Sequence, residues 1–280
     1  MMQSLAGRVV LVTGATSGLG EKLATDLAAA GAGVLLHGRN PEKAKDRIEK
    51  IADSTGNPQL AYYNAEFSSL EDVRRMAEDI RADQERIDVL INNAGIGPGR
   101  RGDNRKLSHD GHELRFAVNY LAHFLLTHEL MPLLRTSDNA RIVNVASGAQ
   151  QAIDFDDVML EKGYDGRRAY SQSKLAQVMF TFDLAEELDG TGIAVNCLHP
   201  ATLMPTTMVL ETDFFNTTMD SVEKGAEAVL RLAASPETLG ESGRYFEGKT
   251  PATADAQAYD KGARERLRMI SRQLAGYADK

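Results

Sequence analysis

The chain has 280 residues, a formal net charge of −8 at pH 7 and a single cysteine. This length allows one α/β domain with a sizeable core, and no linker or change in composition divides it. Acidic and basic residues are interspersed along the chain, which argues against a nucleic-acid-binding surface. One cysteine excludes a disulfide framework, and we expect Cys197, inside an apolar run, to be a buried structural thiol.

The amino-terminal residues match neither a signal peptide nor a membrane anchor. The first apolar run, residues 9–12, is too short to cross a bilayer and is soon followed by glycine. We therefore expect a cytoplasmic protein without a membrane span. The six histidines show no ligand spacing with Cys, Asp or Glu, so no catalytic metal is expected.

A glycine-rich turn follows the first predicted strand, residues 9–12, and leads into a helix. Gly14, Gly18 and Gly20 permit a tight turn and a close approach of the backbone to a pyrophosphate. The following helix would present unpaired N–H groups and the positive end of its dipole to that anion. The spacing is Gly-x-x-x-Gly-x-Gly, not the commoner Gly-x-Gly-x-x-Gly, so an ordinary strand–helix corner stays an alternative. The place of the turn after the first strand favours phosphate binding.

Strands and helices alternate after this turn. The remaining predicted strands are 34–36, 60–63, 87–92, 142–145, 193–198 and 244–246, and the predicted helices are about 19–28, 41–52, 70–80, 112–130, 168–188, 221–234 and the tail 254–280. Such alternation implies parallel strands joined by right-handed crossovers. The expected fold is a single α/β domain, 1–280, with a Rossmann-type doubly wound parallel sheet of about seven strands and helices on both faces. The tail is expected to be a solvated or subunit-contact helix.

Tyr170 and Lys174 are four residues apart within a predicted helix, which places both side chains on one face. For an arbitrary pair of this spacing, two solvated side chains would be the simpler interpretation. An ammonium group ~4 Å from a phenolate, at an effective dielectric of ~20, would stabilise the phenolate by ~4 kcal/mol. We therefore expect the pKa of Tyr170 to fall from ~10 toward ~7, where a phenol is a suitable proton donor for carbonyl reduction.

The apolar run before this helix, residues 141–148, favours the catalytic interpretation. It predicts a buried parallel strand that delivers the Ser147 hydroxyl at its carboxyl end, the edge at which open α/β sheets bind ligands. Together, the following residues resemble the short-chain dehydrogenase/reductase family in identity, order and spacing: 13–20, 92–95, Asn119, Ser147, Tyr170 and Lys174. The resemblance extends from Leu5 to about Phe246. Segments 153–157, 170–176 and 199–200 are most similar to the subgroup of retinol dehydrogenases, WW-domain oxidoreductase and protochlorophyllide reductases.

The resemblance implies an oxidoreductase that transfers hydride between a nicotinamide dinucleotide and a carbonyl or alcohol. Tyr170 would be the general acid and base, Lys174 would bind the ribose and keep the phenol acidic, and Ser147 would bind the developing alkoxide. Asn119 would anchor a water that relays protons. Besides Tyr170 and Lys174, the implied dinucleotide contacts are Gly14, Thr16, Ser17, Gly18, Leu19, Gly20, Arg39, Glu66, Phe67, Asn93, Ala94, Gly95, Pro200 and Thr202.

The residues after the second strand indicate which dinucleotide binds. A carboxylate there accepts the ribose 2′-hydroxyl, whereas an arginine accommodates a 2′-phosphate. The sequence His37-Gly38-Arg39-Asn40 contains no acid and one guanidinium, so we expect NADP (NADPH). An exposed Arg39 that binds no ligand is the alternative. Ser17 stands where some NADP-preferring family members carry a basic residue.

Some positions depart from the family pattern. Glu66 stands where an aspartate is usual, and Pro200-Ala201 replaces Pro-Gly. By resemblance, residues 200–220 would close over the substrate, which we expect to be a fairly apolar carbonyl compound or alcohol. The resemblance also implies a homodimer or homotetramer, with a monomer as the alternative because the subgroup includes monomers. Two alternatives stay open: reduction of a carbon–carbon double bond, and a non-catalytic dinucleotide sensor. Such sensors generally lose the tyrosine or the lysine, and this chain has both.

Overall fold

The centre of the fold is a sheet of mostly parallel strands. The computed structural model describes residues 4–214 and 217–277. Within these residues the strands are β1 Val9–Val12, β2 Gly33–Gly38, β3 Leu60–Asn64, β4 Val89–Asn92, β5 Arg141–Val145, β6 Ala194–His199, β7 Arg244–Glu247 and β8 Thr250–Pro251. They form one sheet in the order β3-β2-β1-β4-β5-β6-β7-β8. Pairing is parallel from β3 to β7, and β8 is antiparallel to β7.

Helices connect these strands. In the same part of the chain they are α1 Gly18–Ala29, α2 Pro41–Thr55, α3 Leu70–Asp83, α4 Ala122–Glu129, α5 Met131–Leu134, α6 Gly166–Glu187, α7 Thr207–Leu210, α8 Val222–Ala234 and α9 Lys261–Leu274. A π-helix, Phe116–Leu121, runs directly into α4. Two single 3₁₀ turns, Pro236–Thr238 and Ala256–Tyr259, precede β7 and α9.

The side chains of each central strand alternate between two cores. Leu11 of β1 and Leu90 of β4 belong to a core formed with α3, α4 and α6, whereas Val10 and Val12 belong to a second core formed with α1 and α8. Strands that are buried on both faces are near-continuous runs of Val, Ile and Leu. The predicted fold, a doubly wound parallel sheet with helices on both faces, is confirmed. The two-residue β8 is absent from the sequence prediction because so short a strand shows no periodicity.

The strand order reverses at β1, which opens a crevice at the carboxyl ends of the strands. β1 pairs with β2 on one side and with β4 on the other, both in parallel. Open α/β sheets bind ligands at such a switch point. β5 continues the row beside β4, with Asn92 opposite Asn144. The segments that follow β1, β4 and β5 therefore meet at one edge of the sheet.

The predicted helix 112–130 differs from the observed one. It begins as the π-helix at Phe116 and continues as α4 to Glu129. In a π-helix each hydrogen bond spans five residues, one more than in an α-helix. An apolar pattern judged at 3.6 residues per turn does not reveal that extra residue, so the sequence could not show the change.

In its described part, up to residue 277, the tail packs one face of a helix on the body of the protein, and its role as a solvated or subunit-contact helix stays a prediction. The Ser271 side chain of α9 is buried, and its hydroxyl lies 2.7 Å from the Tyr120 hydroxyl. Arg268 donates to both carboxylate oxygens of Asp183 on α6, at 2.7 and 2.8 Å. α9 is therefore part of the packed body of the protein. Residues 278–280 of the predicted tail lie outside the described residues.

Three buried aromatic rings lie beneath the turn that follows β1. The Phe67 ring stacks on His37, with ring centres 4.1 Å apart, and meets the His123 ring edge-on at 5.3 Å. His37 Nδ1 accepts the Gly14 N–H, so the ring proton is on Nε2, which lies 3.2 Å from the Ala65 carbonyl. Burial lowers the pKa of His37 to about 4 and that of His123 to about 3. Both histidines are therefore neutral at pH 7 and support the turn.

These buried histidines predict a loss of stability in acid. The pKa of His37 in the folded protein, about 4, lies below its usual value of 6.5. As the pH falls from 6.5 toward 4, the unfolded chain therefore binds a proton that the folded chain does not, and the folded state loses stability. At ~1.4 kcal/mol per pKa unit, His37 should lower the free energy of unfolding by about 3 kcal/mol at pH 4 relative to pH 7.

Urea unfolding at the two pH values measures this loss. His37→Gln does not titrate, so its loss between pH 7 and pH 4 should be smaller than that of the unmutated protein by about 3 kcal/mol. His109→Gln is the matched control, since His109 is exposed and should leave the loss unchanged. Equal losses in His37→Gln and the unmutated protein would overturn the assignment.

Candidate active site

The backbone of the turn between β1 and α1 has a shape that favours glycine. Gly14 and Gly18 have φ angles of +67° and +55°, in the left-handed region where a side chain is strained. Gly20 is needed for a different reason, because a Cβ there would lie 2.1 Å from the Gly14 carbonyl oxygen. The turn therefore folds directly onto the first turn of α1. The prediction that these three glycines form a tight turn agrees with this geometry.

The first turn of α1 has no side-chain cap. Its N-cap residue, Ser17, makes no capping hydrogen bond, whereas a side chain caps each of α2, α3, α6, α8 and α9. Uncapped N–H groups and the positive end of the helix dipole together suit a phosphate group. The residues present therefore fit a dinucleotide pyrophosphate. The Leu19 side chain belongs to the core. The predicted contact of Leu19 with the dinucleotide would therefore be made by its main chain.

Thr13 fastens the end of β4 to this turn. Its hydroxyl oxygen accepts the N–H groups of Asn93 and Ala94 at 2.8 and 2.9 Å. The Asn93 side chain donates in return to the Thr13 carbonyl at 2.8 Å. A Cβ on Gly14 would lie 2.9 Å from the Ala94 Cα. Asn93 and Ala94, predicted as dinucleotide contacts, thus brace the turn that would hold the pyrophosphate.

Arg39 lies at the end of β2, beside the crevice. Its side chain is 72% exposed, and its guanidinium lies 3.6 Å from the Glu66 carboxylate. An exposed guanidinium fits a 2′-phosphate. Thr16, another predicted dinucleotide contact, packs against the end of β2: a Cβ on Gly38 would lie 2.6 Å from the Thr16 methyl group. The Phe67 side chain, by contrast, is buried among the histidine rings. The predicted contact of Phe67 with the dinucleotide would therefore be made by its main chain.

Ser147, Tyr170 and Lys174 meet at the carboxyl end of β5. The Ser147 hydroxyl is close enough to the Tyr170 phenol to lower its pKa, and the Lys174 Nζ lies 5.8 Å from the centre of the phenol ring. The Lys174 side chain is buried, and its ammonium donates to the Val145 carbonyl and to Gln177 Oε1, both at 2.9 Å. Tyr170 and Lys174 lie on α6, and they share a face of it as the spacing predicts.

The predicted acidity of the phenol is wrong in this structure. Burial raises the pKa of Tyr170 above its usual value of 10, and the hydrogen bond from Ser147 offsets this in part. Burial also lowers the pKa of Lys174 to about 7. The expectation placed a fully charged ammonium group beside a phenolate, whereas here both groups have lost hydration, which disfavours both charged forms. Near pH 7, the protonation of Lys174 is therefore the equilibrium in this site that a small change in its surroundings can shift.

Asn119 is buried in the π-helix and fastens the segment that follows β4. Its Oδ1 accepts the Ile96 N–H at 2.8 Å, and its Nδ2 donates to the Ile96 carbonyl at 3.1 Å and to Ser173 Oγ at 3.0 Å. Gly95 fits closely here, since a Cβ would lie 3.1 Å from Asn119 Oδ1 and 3.7 Å from Lys174 Nζ. Asn119 therefore holds the wall of the site beside Lys174. Its predicted role as the anchor of a water stays a prediction.

The short helix α7 covers the site. The Met208 sulfur lies 3.8 Å from the Tyr170 phenol oxygen. Two residues earlier, the Thr206 methyl group lies 3.1 Å from the position that a Gly18 Cβ would take. One short segment therefore lies over both the glycine-rich turn and the tyrosine. That residues 200–220 close over a substrate stays a prediction.

The base of this covering segment is closed by hydrogen bonds. The Asp220 carboxylate accepts the Thr202 N–H at 2.7 Å, and the Thr202 hydroxyl lies 3.1 Å from His199 Nε2. Pro200 is buried at the same point. Pro200 and Thr202 thus lie where β6 leads into the cover, and their contacts with a dinucleotide stay predictions. Residues 215–216, within the predicted substrate loop, lie outside the described residues.

Three buried polar residues of the site are missing from the sequence-based set: His37, His123 and Gln177. His123 lies four residues after Asn119, and its Nε2 lies 3.2 Å from the Thr13 hydroxyl. Gln177 lies three residues after Lys174 and accepts its N–H. Helical spacing from the predicted catalytic residues could have identified both.

Other features of the described residues, 4–214 and 217–277, concern metals, membranes and thiols. No group of three His, Cys, Asp or Glu side chains in this part of the chain could hold a metal ion. None of its helices is both long enough and apolar enough to cross a membrane. Cys197 is free and buried, and burial raises its pKa to about 12. It is a structural thiol, as predicted.

Comparison with known proteins agrees with this geometry. The short chain dehydrogenase family model matches residues 8–214. Retinol dehydrogenase 13 from Mus musculus is 35% identical, over 98% of this chain and 86% of that protein. A Mycobacterium paratuberculosis protein of known structure has a TM-score of 0.79 and 30% identity, over 98% of this chain and 96% of that one. A short chain dehydrogenase from Escherichia coli CFT073, complexed with NADPH, has a TM-score of 0.73 and 27% identity, over 88% of this chain and 98% of that one.

The matched span contains the elements from which the site is built. Residues 8–214 include β1 with its glycine-rich turn, the π-helix, the end of β5 and the whole of α6. The likeness to retinol dehydrogenase 13 extends over nearly the entire chain. The chain therefore belongs to the short-chain dehydrogenase/reductase family, within its retinol dehydrogenase subgroup, and is an oxidoreductase that acts on CH–OH or C=O groups.

Proposed function

We propose that the protein uses NADP to interconvert a fairly apolar carbonyl compound and its alcohol. The observation that carries this proposal is the meeting of Ser147, Tyr170 and Lys174 at the carboxyl end of β5. The uncapped start of α1 lies at the same edge of the sheet. When a dinucleotide is bound at this edge, its nicotinamide supplies or accepts the hydride.

Tyr170 is the proton donor in the direction of reduction. Its phenol gives a proton to the substrate oxygen, and the Ser147 hydroxyl donates a hydrogen bond to the same oxygen as negative charge develops there. The phenolate that remains is stabilised by the ammonium group of Lys174, whose Nζ lies 5.8 Å from the ring centre. In the direction of oxidation, the same phenolate removes the proton of the alcohol.

Arg39 supports NADP rather than NAD. It follows β2, where open sheets of this kind bind the adenosine ribose, and neither residue 37 nor residue 38 is acidic. Its ion pair with Glu66 is long and exposed, and such pairs are worth about 0 to 1 kcal/mol. A phosphate group can therefore displace the carboxylate. The Escherichia coli relative that holds NADPH supports the same choice.

The cover over Tyr170 supports an apolar substrate. The Met208 thioether of this cover lies 3.8 Å from the phenol oxygen. Gly97 makes room for that side chain, because a Cβ there would lie 2.9 Å from Met208 Cγ. A substrate that reaches Tyr170 therefore meets an apolar, deformable surface. This surface would suit reduction of a carbon–carbon double bond equally well, so the assay has to separate the two reactions.

The variant Tyr170→Phe tests the chemical role of the phenol. We expect kcat/KM for NADPH-dependent reduction to fall by about 10²- to 10⁴-fold, because the proton donor is lost while the ring is kept. The dissociation constant for NADPH, measured by fluorescence titration, should change little. The assay uses aldehydes, ketones and α,β-unsaturated ketones, with product analysis to distinguish C=O from C=C reduction. Full retention of turnover by Tyr170→Phe would contradict the proposal and favour a different donor.

The variant Arg39→Ala tests the choice of dinucleotide. Loss of a charge-assisted hydrogen bond of about 1.5 to 3 kcal/mol should weaken NADPH binding about 10- to 100-fold. Binding of NADH, which has no 2′-phosphate, should be nearly unchanged. Glu66→Gln is the comparison: it removes the ion-pair partner of Arg39, and because Glu66 is itself an expected dinucleotide contact, any loss through that contact should be equal for NADPH and NADH. If Arg39→Ala weakened both dinucleotides equally, Arg39 would not be a 2′-phosphate ligand.

A further inference from the structure

The ammonium group of Lys174 is buried, and no carboxylate within the described residues, 4–214 and 217–277, forms an ion pair with it. Its Nζ donates to one main-chain oxygen, the Val145 carbonyl of β5, and to one side-chain oxygen, Gln177 Oε1, both at 2.9 Å. Lys174 and Gln177 are 3% and 1% exposed, so water cannot replace either acceptor. A buried ammonium group keeps its charge only if such oxygens offset the hydration it has lost. Of these two acceptors, only the Gln177 oxygen can be altered by substitution, because the other belongs to the main chain.

The orientation of the Gln177 amide follows from the chemistry of its neighbours. An ammonium group can only donate, so the amide oxygen faces Lys174 and the amide nitrogen faces the opposite way, 3.4 Å from His123 Nδ1. That nitrogen of His123 also lies 3.0 Å from the Asn119 carbonyl, which can only accept. The ring proton of His123 is therefore on Nδ1, which donates it in a hydrogen bond to the Asn119 carbonyl.

The other side of His123 agrees with this tautomer. The Thr13 hydroxyl oxygen already accepts two N–H groups, from Asn93 and Ala94, so its own proton is free to be donated. It lies 3.2 Å from His123 Nε2 and 3.3 Å from the Ile91 carbonyl. A neutral His123 with its proton on Nδ1 leaves Nε2 as an acceptor for Thr13. The imidazole is therefore fixed from both sides and forms a rigid wall behind the Gln177 amide.

The titratable groups around Lys174 are Tyr170 from its own helix, His123 from α4 and His199 from β6. Burial lowers the pKa of both histidines, so they carry no charge that could stabilise or repel the ammonium near pH 7. Burial is also what lowers the pKa of Lys174, to about 7. The two oxygen acceptors are thus the groups that favour the charged form.

We propose that Gln177 is a positioning residue, whose amide oxygen holds Lys174 charged and in place beneath Tyr170. His123 limits the space behind the Gln177 amide but does not hydrogen-bond it, because its Nδ1 carries a proton. The effect on turnover rests on the proposed function, because Lys174 matters to the reaction only through the phenol that it serves. The effect on Lys174 itself does not, since the hydrogen bond exists whatever the substrate. The two can therefore be tested separately.

The test changes the charge of residue 177 with little change in size. In Gln177→Glu, a carboxylate next to Nζ should raise the pKa of Lys174 by about 1 to 3 units, the usual effect of an adjacent opposite charge. In Gln177→Met, the acceptor is lost and burial is kept, so the pKa of Lys174 should fall. Shifts of opposite sign distinguish this role from a merely structural one, which would give the same sign in both variants.

The pKa of Lys174 is measured without substrate or dinucleotide, by NMR titration of protein labelled with ¹³Cε-lysine. The Lys174→Met spectrum assigns the resonance. Gln172→Glu and Gln172→Met are the matched controls: Gln172 is buried on the same helix, but its amide donates to the Ala152 carbonyl. The control pair should leave the Lys174 titration nearly unchanged. Either Gln177 variant decides the matter if the other does not fold, because each has its own expected direction.

Kinetics give the second readout. For the reduction of a carbonyl substrate, activity should decline as the pH rises through the pKa of Lys174. That decline should move to higher pH in Gln177→Glu and to lower pH in Gln177→Met, with kcat affected more than the KM for substrate. If neither variant shifts the titration of Lys174, the positioning role of Gln177 is refuted. If the titrations shift as expected but the unmutated protein turns over no carbonyl or alcohol, it is the proposed function that fails.

Discussion

The burial of one ammonium group is the constraint on which the site depends. Taking a charge of this kind out of water costs several kcal/mol unless oxygens surround it. The Lys174 side chain meets this demand with the Val145 carbonyl at the end of β5 and with Gln177 one turn further along α6. These contacts require α6 to lie against the end of β5. Tyr170, one turn earlier on the same helix, is then placed at the Ser147 hydroxyl.

A second row of buried polar groups fixes α6 against the sheet. The Asn92 side chain donates to Asn144 at 2.8 Å, and the Asn144 side chain donates to the Thr181 hydroxyl at 2.8 Å. Thr181 in turn donates to the main-chain carbonyl of Gln177. Each of these groups would cost about 1 to 3 kcal/mol if left without a partner. The row therefore specifies where α6 lies more sharply than apolar packing alone, and the position of Lys174 follows.

Sequence patterns predicted the elements of this fold but not the polar contacts between them. β1 and the glycine-rich turn were predictable because an apolar strand and three glycines are local signals. The pairing of Tyr170 with Lys174 was predictable from helical spacing. The raised pKa of Tyr170 was not, because it depends on burial, which arises only after β5, α6 and α7 have packed together. For the same reason the use of His123 and Gln177 is visible only in three dimensions: each touches residues distant in sequence or on another element.

The segment that covers the site lies over both the glycine-rich turn, where the dinucleotide is expected, and Tyr170, where the substrate is expected. Thr206 contacts the glycine-rich turn at Gly18, and Met208 contacts the phenol oxygen of Tyr170. These residues are two apart, so one short segment borders both the glycine-rich turn and the phenol. Leu203, at the base of this segment, has a φ angle of +48°, a strained conformation for a branched side chain that costs of order 1 to 3 kcal/mol. This strained residue lies between β6 and α7, where the cover leaves the sheet.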